Sequence, residues 1–165
     1  MKTAYFAGGC FWCIAPAFRL PGVKNVVSGY CGGDEESPSY QDVKAQKTGH
    51  RETVAVTYDE SVLSYEELLA SFLENVDPFD EGGQFIDRGR SYTLAVYYQG
   101  EEEREKAEKA MADLGRSAGR EACVAIEPFK RFYEAEEYHQ DYDLRHPEAL
   151  AEEMELSGRN SKKHV

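Results

Sequence analysis

The sequence predicts an α/β two-layer sandwich, a mixed sheet with helices packed on it in a ferredoxin-like arrangement. Two observations carry this expectation. Short runs rich in Val, Tyr and Thr alternate along the chain with stretches that have helical apolar spacing. A length of 165 residues suits one ordinary domain, able to bury a core without staples.

Thr3 to Ala7 reads as a first strand, Gly8-Gly9 as a tight turn, and Cys10 to about Leu20 as a helix interrupted near Pro16 and closed by Pro21-Gly22. Val23 to Tyr30 is a second strand. Cys31 to Ser39, with its glycines, acids and Pro38, is loop. Glu52 to Tyr58 alternates polar and apolar side chains and gives a third strand. Ser64-Tyr65-Glu66-Glu67 is a capping box, and Leu68, Leu69, Phe72 and Leu73 form one stripe, so Ser64 to Val76 is a helix that Asp77-Pro78 ends. Phe79 to Arg90 contains Gly82, Gly83 and Gly89 and no periodicity, which predicts a long loop of the kind that often carries function. Thr93 to Tyr98 is a strand, Glu101 to Leu114 a charged surface helix, Cys123 to Ile126 a strand, and Glu134 to Arg145 a last helix. Residues 1–147 are expected to form a single catalytic domain and 148–165 a partly frayed tail.

Composition narrows the function. Hydrophobic residues at 41% and charged residues at 30% describe a globular chain. The formal net charge of −12 opposes general attraction to nucleic acid or anionic lipid, so neither nucleic acid nor membrane is an expected partner. The first residues lack the long apolar stretch of a signal peptide, and a cytoplasmic location is expected. Four cysteines (Cys10, Cys13, Cys31, Cys123) in a reducing compartment point to redox chemistry or metal binding rather than structural disulfides.

Cys10 follows Gly8-Gly9 where a strand turns into a helix, so its sulfur should lie near free backbone amides and the positive helix end, with a lowered pKa. Cys13 lies on the same helical face, within disulfide reach if the first turn adjusts. Phe11 and Trp12 between them can wall the sulfur with apolar surface, which suits an apolar substrate group. Cys123, inside an apolar run, is expected to be a small core residue.

The run Gly9-Cys10-Phe11-Trp12 resembles the active-site signature of the A-class peptide methionine sulfoxide reductases. The similarity extends through Ser28-Gly29-Tyr30-Cys31-Gly32-Gly33, Pro38-Ser39-Tyr40, Thr48-Gly49-His50-Arg51-Glu52, Asp87-Arg88-Gly89 with Ser91-Tyr92, and Tyr133 to Gln140. The resemblance implies that Cys10 attacks the sulfoxide sulfur and that Phe11 and Trp12 hold the substrate methyl. It also implies that Glu52 is the acid, that Tyr40 and Tyr92 hydrogen-bond the oxygen, and that Asp87 supports the site. It implies the S epimer as substrate, free or in proteins, a sulfenic acid on Cys10, thioredoxin as reductant and no cofactor. A sulfoxide oxygen leaves only when protonated or strongly hydrogen-bonded, and a glutamate can supply that proton near neutral pH if burial raises its pKa.

The commoner family pattern has Gly at the position of Cys13 and a recycling cysteine in the C-terminal tail, which here has none. Cys13 is therefore the leading resolving thiol, and Cys31 in the glycine loop is the rival or a relay. His50 and His139 are expected to be structural. Two other readings compete: a general dithiol-disulfide oxidoreductase using Cys10 and Cys13, and a structural zinc module using Cys10, Cys13, Cys31 and a ligand such as His50.

Overall fold

The computed structural model describes residues 1–159. Strand β1 (Lys2–Gly8) leads through Gly9 into helix α1 (Phe11–Ile14), which continues as a 3-10 turn, Ala15–Phe18. Strand β2 (Val23–Cys31), helix α2 (Tyr40–Lys44), strand β3 (Arg51–Tyr58) and helix α3 (Tyr65–Glu74) follow. Strands β4 (Gly83–Gln84) and β5 (Asp87–Arg88) form a small hairpin, succeeded by a 3-10 turn, Arg90–Tyr92, and strand β6 (Leu94–Tyr98). Helix α4 (Glu101–Ala118), strands β7 (Val124–Pro128) and β8 (Phe132–Glu134), a 3-10 turn at Glu137–His139, and helices α5 (Tyr142–Arg145) and α6 (Pro147–Ser157) complete the described chain.

Six strands make one mixed sheet in the order β7-β6-β1-β3-β2-β8. Only β6 and β7 run parallel; the other neighbours are antiparallel. Because successive side chains point to opposite faces of a strand, Phe6, Tyr30, Val54, Val56 and Val96 share one face. There they pack on Leu68, Leu69 and Phe72 of α3 and Ala107 and Met111 of α4. Phe6 stacks on Phe18 at 5.0 Å and meets Phe72 at 5.3 Å, so the 3-10 turn and α3 close over the same strand. The capping box at Ser64 and Glu67 is present, which fixes where α3 begins. On the other face Ala7, Cys31, Ala95 and Tyr97 form a second cluster. Arg51 braces it by donating to the Tyr97 hydroxyl at 3.0 Å and to Glu127 at 3.2 Å.

The expected helix over Glu134 to Arg145 is not formed. Phe132–Glu134 adds a strand to the edge of β2, the next residues make a 3-10 turn, and Asp141 takes a left-handed φ of 53° that breaks any continuous helix before α5. The side chains that would have faced outward are used to fasten the segment: Gln140 accepts from Ser28 N and donates to Ser28 O and Ala135 O, all at 2.9 Å. The tail expected to fray from residue 148 is helical through Ser157, because Pro147 starts α6 and Leu150 and Met154 pack inward. The rest of that expectation, residues 160–165, lies outside the described residues. Cys123 is half-exposed and stands one residue before β7, rather than within a strand core. Among the described residues no helix is long and apolar enough to cross a membrane.

Candidate active site

The site lies at one end of the sheet, where β1 and β2 finish and β3 and β6 begin. Antiparallel pairing brings Gly8-Gly9-Cys10 after β1, Glu52 at the start of β3 and Tyr92 just before β6 to that common end. The turn into α1 needs Gly9: its φ is +85°, and a Cβ there would come within 2.8 Å of Gln84 Cβ and 3.0 Å of the Arg159 guanidinium.

Cys10 caps α1 and is 7% exposed; Cys13, one helical turn on, is 4% exposed. With Tyr92 and Leu150 they form a small cluster, joined by Trp12, Tyr142 and Met154. The lowered thiol pKa expected for Cys10 is not what this geometry gives. The hydrogen-bonded Cys13 thiol first, then burial, then the charges of Cys13, Glu52 and Glu153 hold it well above its ordinary value. The reason is local: α1 is only four residues long, and its first free amide, Phe11 N, donates to Glu52 Oε1 at 3.0 Å instead of serving the sulfur.

Glu52 is 1% exposed, and its second oxygen, Oε2, is buried without a hydrogen-bond partner among the described residues. Burial pushes its pKa up to about 8, against the Phe11 amide that pulls it down, with Asp87 adding to the rise. At neutral pH this carboxyl holds its proton. Asp87 is raised too, chiefly by burial, with Arg159 and Lys44 opposing. Tyr92 and Tyr40 are both pushed up by burial and then by the Glu52 charge, so their hydroxyls stay protonated donors. Ser39 caps α2 from Asp42 N, and Glu136 accepts from Tyr40 N at 3.0 Å, which together set the Tyr40 ring against Phe11 with centroids 6.3 Å apart. Tyr92 is fixed through its neighbour Ser91, which Gln46 holds by both polar groups at 2.7 and 3.0 Å.

Phe11 is wholly buried among Tyr30, Tyr40 and His139, whereas Trp12 is half-buried and stacks on Tyr142 at 4.0 Å. The indole N–H of Trp12 donates to His139 Nδ1 at 3.1 Å. His139 thereby orients a site residue, and its buried Nε2 has no partner among the described residues. Burial lowers its pKa, so the neutral ring carries its proton on Nε2. His50 is fixed away from this set: its Nδ1 accepts from Gly33 N at 3.2 Å, and its Nε2 lies 2.7 Å from Glu35 O.

Cys10, Phe11, Trp12, Cys13, Tyr40, Glu52, Asp87 and Tyr92 thus come together, and Cys31 does not. It is the last residue of β2, not part of a flexible loop, and belongs to the cluster on the opposite sheet face. Its thiol donates to Arg131 O at 3.1 Å, and burial raises its pKa to about 12. Glu153, Met154 and Arg159, which sequence reasoning missed, close the site from the C-terminal side. Arg159 is buried and donates to Asn75 O at 2.9 Å and Gly8 O at 3.2 Å, latching the end of α6 against the turn that carries Cys10. Their signal was the Leu150/Met154 spacing, hidden in a segment that reads as acidic tail.

A family model described as peptide methionine sulfoxide reductase matches residues 2–164. The peptide methionine sulfoxide reductase MsrA of Bacillus licheniformis is 45% identical over 161 residues, covering 96% of this chain and 89% of its own. Reduced Mxr1 from Saccharomyces cerevisiae superposes with a TM-score of 0.83 at 29% identity, covering 89% of this chain and 86% of that one. The same yeast protein in complex with Trx2 matches with a TM-score of 0.58 at 20% identity, over 84% and 83% of the two chains.

Proposed function

From the premise that this chain belongs to the peptide methionine sulfoxide reductase family, we propose that its cysteine thiols reduce methionine S-sulfoxide, free or in proteins, with Cys10 as nucleophile. The observation that carries the assignment of roles is Glu52: a fully buried carboxyl, protonated at neutral pH, held by Phe11 N through one oxygen and offering the other beside Cys10.

The substrate methyl lies against Phe11 and Trp12. The Cys10 sulfur attacks the sulfoxide sulfur and passes its proton to the sulfoxide oxygen, to which the Tyr40 and Tyr92 hydroxyls donate, while Glu52 adds a second proton so that the oxygen departs as water. Because the Cys10 thiol is held protonated in the resting site, deprotonation belongs to the attack itself. Asp87 keeps the Glu52 proton in place through its negative charge. The released water then adds its oxygen to the Cys10 sulfur and returns a proton to Glu52 as the bond between Cys10 and the methionine sulfur breaks, so methionine leaves and Cys10 becomes a sulfenic acid. The Cys13 thiol then displaces the hydroxyl as water, so the sulfoxide oxygen departs as water and a Cys10–Cys13 disulfide remains. Cys31, on the opposite face of the sheet, takes no part in this resolution. An external dithiol restores both thiols; thioredoxin is the reductant that fits, in line with the yeast relative bound to Trx2.

The same reading covers the fold and setting. The order β6-β1-β3-β2, antiparallel throughout, with α1 and α3 as crossovers, supports a ferredoxin-like, two-layer core. One catalytic domain then spans the described chain, with α6 as part of it. Four free cysteines suit a reducing, cytoplasmic setting.

The test follows each epimer of a blocked methionine sulfoxide with dithiothreitol as reductant. We expect consumption of the S epimer alone, abolished in Cys10→Ser and reduced at least ~100-fold in Glu52→Gln at pH 7. Full activity of folded Glu52→Gln would remove the acid role; inertness of the wild-type protein toward both epimers would remove the proposed reaction.

A further inference from the structure

The reduction chemistry makes no use of Glu153, which lies beside both thiols of the site. Glu153, on α6, is half-buried, and a carboxylate oxygen of it lies with Cys10 Sγ and Cys13 Sγ in a group whose atoms are all within 4.8 Å of one another. Among the described residues it makes no hydrogen bond and no salt bridge, so its lone pairs are available. Two thiols from α1 and one carboxylate from α6 are the donor types that zinc-like cations take. A tetrahedral ion with metal–sulfur bonds of ~2.3 Å and a metal–oxygen bond of ~2.0–2.2 Å sets its ligand atoms roughly 3.5–3.8 Å apart. Contraction by about an ångström, within side-chain rotation, closes the present triangle to that size.

We propose that reduced Cys10, Cys13 and Glu153 form a binding site for a thiophilic divalent cation of the zinc class, which holds the enzyme in an inactive form. Both thiols lose their protons to solvent and each sulfur donates a pair to the ion, Glu153 supplies the third ligand, and a water completes four-coordination; nothing is oxidised or reduced. Two consequences follow from the position of the ligands. The nucleophilic pair of Cys10 is tied up, which shields it from oxidants as well as from substrate. The ion also bridges α1 to α6, adding to the Arg159 latch, so the helix that covers the site is pinned shut. A Cys10–Cys13 disulfide has no thiolates to offer, which confines the site to the reduced protein.

Cd²⁺ is the probe, because its thiolate complexes absorb in the ultraviolet, and Zn²⁺ is then measured by competition with a chromophoric chelator. The reduced full chain should bind one Cd²⁺ with a thiolate-to-metal band, lose that band as the Cys10–Cys13 disulfide forms, and show a Tm that rises with added ion. Glu153→Gln should weaken binding at least ~10-fold. The exposed neighbour Glu152→Gln should bind as the parent does. Equal affinity in Glu153→Gln and the parent, or a band that survives disulfide formation, overturns the proposal. None of these readouts depends on turnover, so loss of the reductase reading and loss of the metal site would be told apart.

Discussion

Glu52 stands in phase with Val54, Val56 and Tyr58, so the two-residue period of β3 sends its carboxyl to the core face. A lone acid on the apolar phase of a strand is costly as a charge, and the site uses that cost to keep the proton on. Catalysis that needs protonated Glu52 should hold from neutral pH to about 8 and decline above it; a kcat/KM profile checks this. The same shift has a stability sign. The folded-state value lies above the unfolded one, so the folded chain binds the extra proton: the contribution is full below about 4.5 and is lost as pH rises to about 8. Glu52→Gln should therefore gain stability over the parent by about 1.4 kcal/mol per pH unit across that window, measured by urea unfolding at several pH values. His139 acts through Trp12. Its replacement by Leu leaves the part-buried indole N–H of Trp12 without this acceptor, a loss of about 1 kcal/mol. The expected result is a KM for sulfoxide raised several-fold with kcat changed less, together with a shifted Trp12 fluorescence, readable because the chain has a single tryptophan.

At the scale of elements, the short α1 and the late α6 decide how reactive the thiols are. A four-residue helix whose leading amide is spent on Glu52 has little positive field left for Cys10. Helix α6 covers the pair with Leu150 and Met154, and its end is latched by Arg159, whose guanidinium also lies over the Phe85 ring at 4.9 Å. Arg159→Ala removes both carbonyl contacts and the ring contact while leaving every proposed reacting group in place. The expected outcome is faster alkylation of Cys10 by iodoacetamide, several-fold over the parent, with the rest of the fold intact by circular dichroism. An unchanged rate would show that α6 stays closed without its latch.

For the molecule as a whole, the proposed reaction is a cycle through two sulfurs on one helical turn, and the reductant must reach a site that α6 covers. Cys13→Ser should still yield about one methionine per enzyme in a single turnover yet lose at least ~100-fold of thioredoxin-driven turnover, because the sulfenic acid cannot become the exposed disulfide that exchange requires. Rapid-quench product counts separate the two phases. Undiminished thioredoxin-driven turnover in this variant would hand the resolving role to another thiol.

The sequence by itself determined the strand-glycine-cysteine turn, the capped α3, the family motif around Cys10 and the nearness of Cys10 to Cys13, because each depends on residues near one another in the chain. It also placed Tyr40, Glu52, Asp87 and Tyr92 in the site, though only through resemblance, since nothing local marks them. Only the tertiary structure decided the rest. Cys31 stands beside Tyr30 in sequence, but one step along a strand reverses its face, and the second cluster buries it away from Cys10. The stretch Glu134 to Arg145 has helix-forming composition, but edge pairing with β2 and the Gln140 contacts outweighed that local preference. The acidic tail became a cover for the site because Leu150, Glu153 and Arg159 meet partners more than 60 residues away in sequence, and propensity, which sums over neighbours, cannot register such contacts.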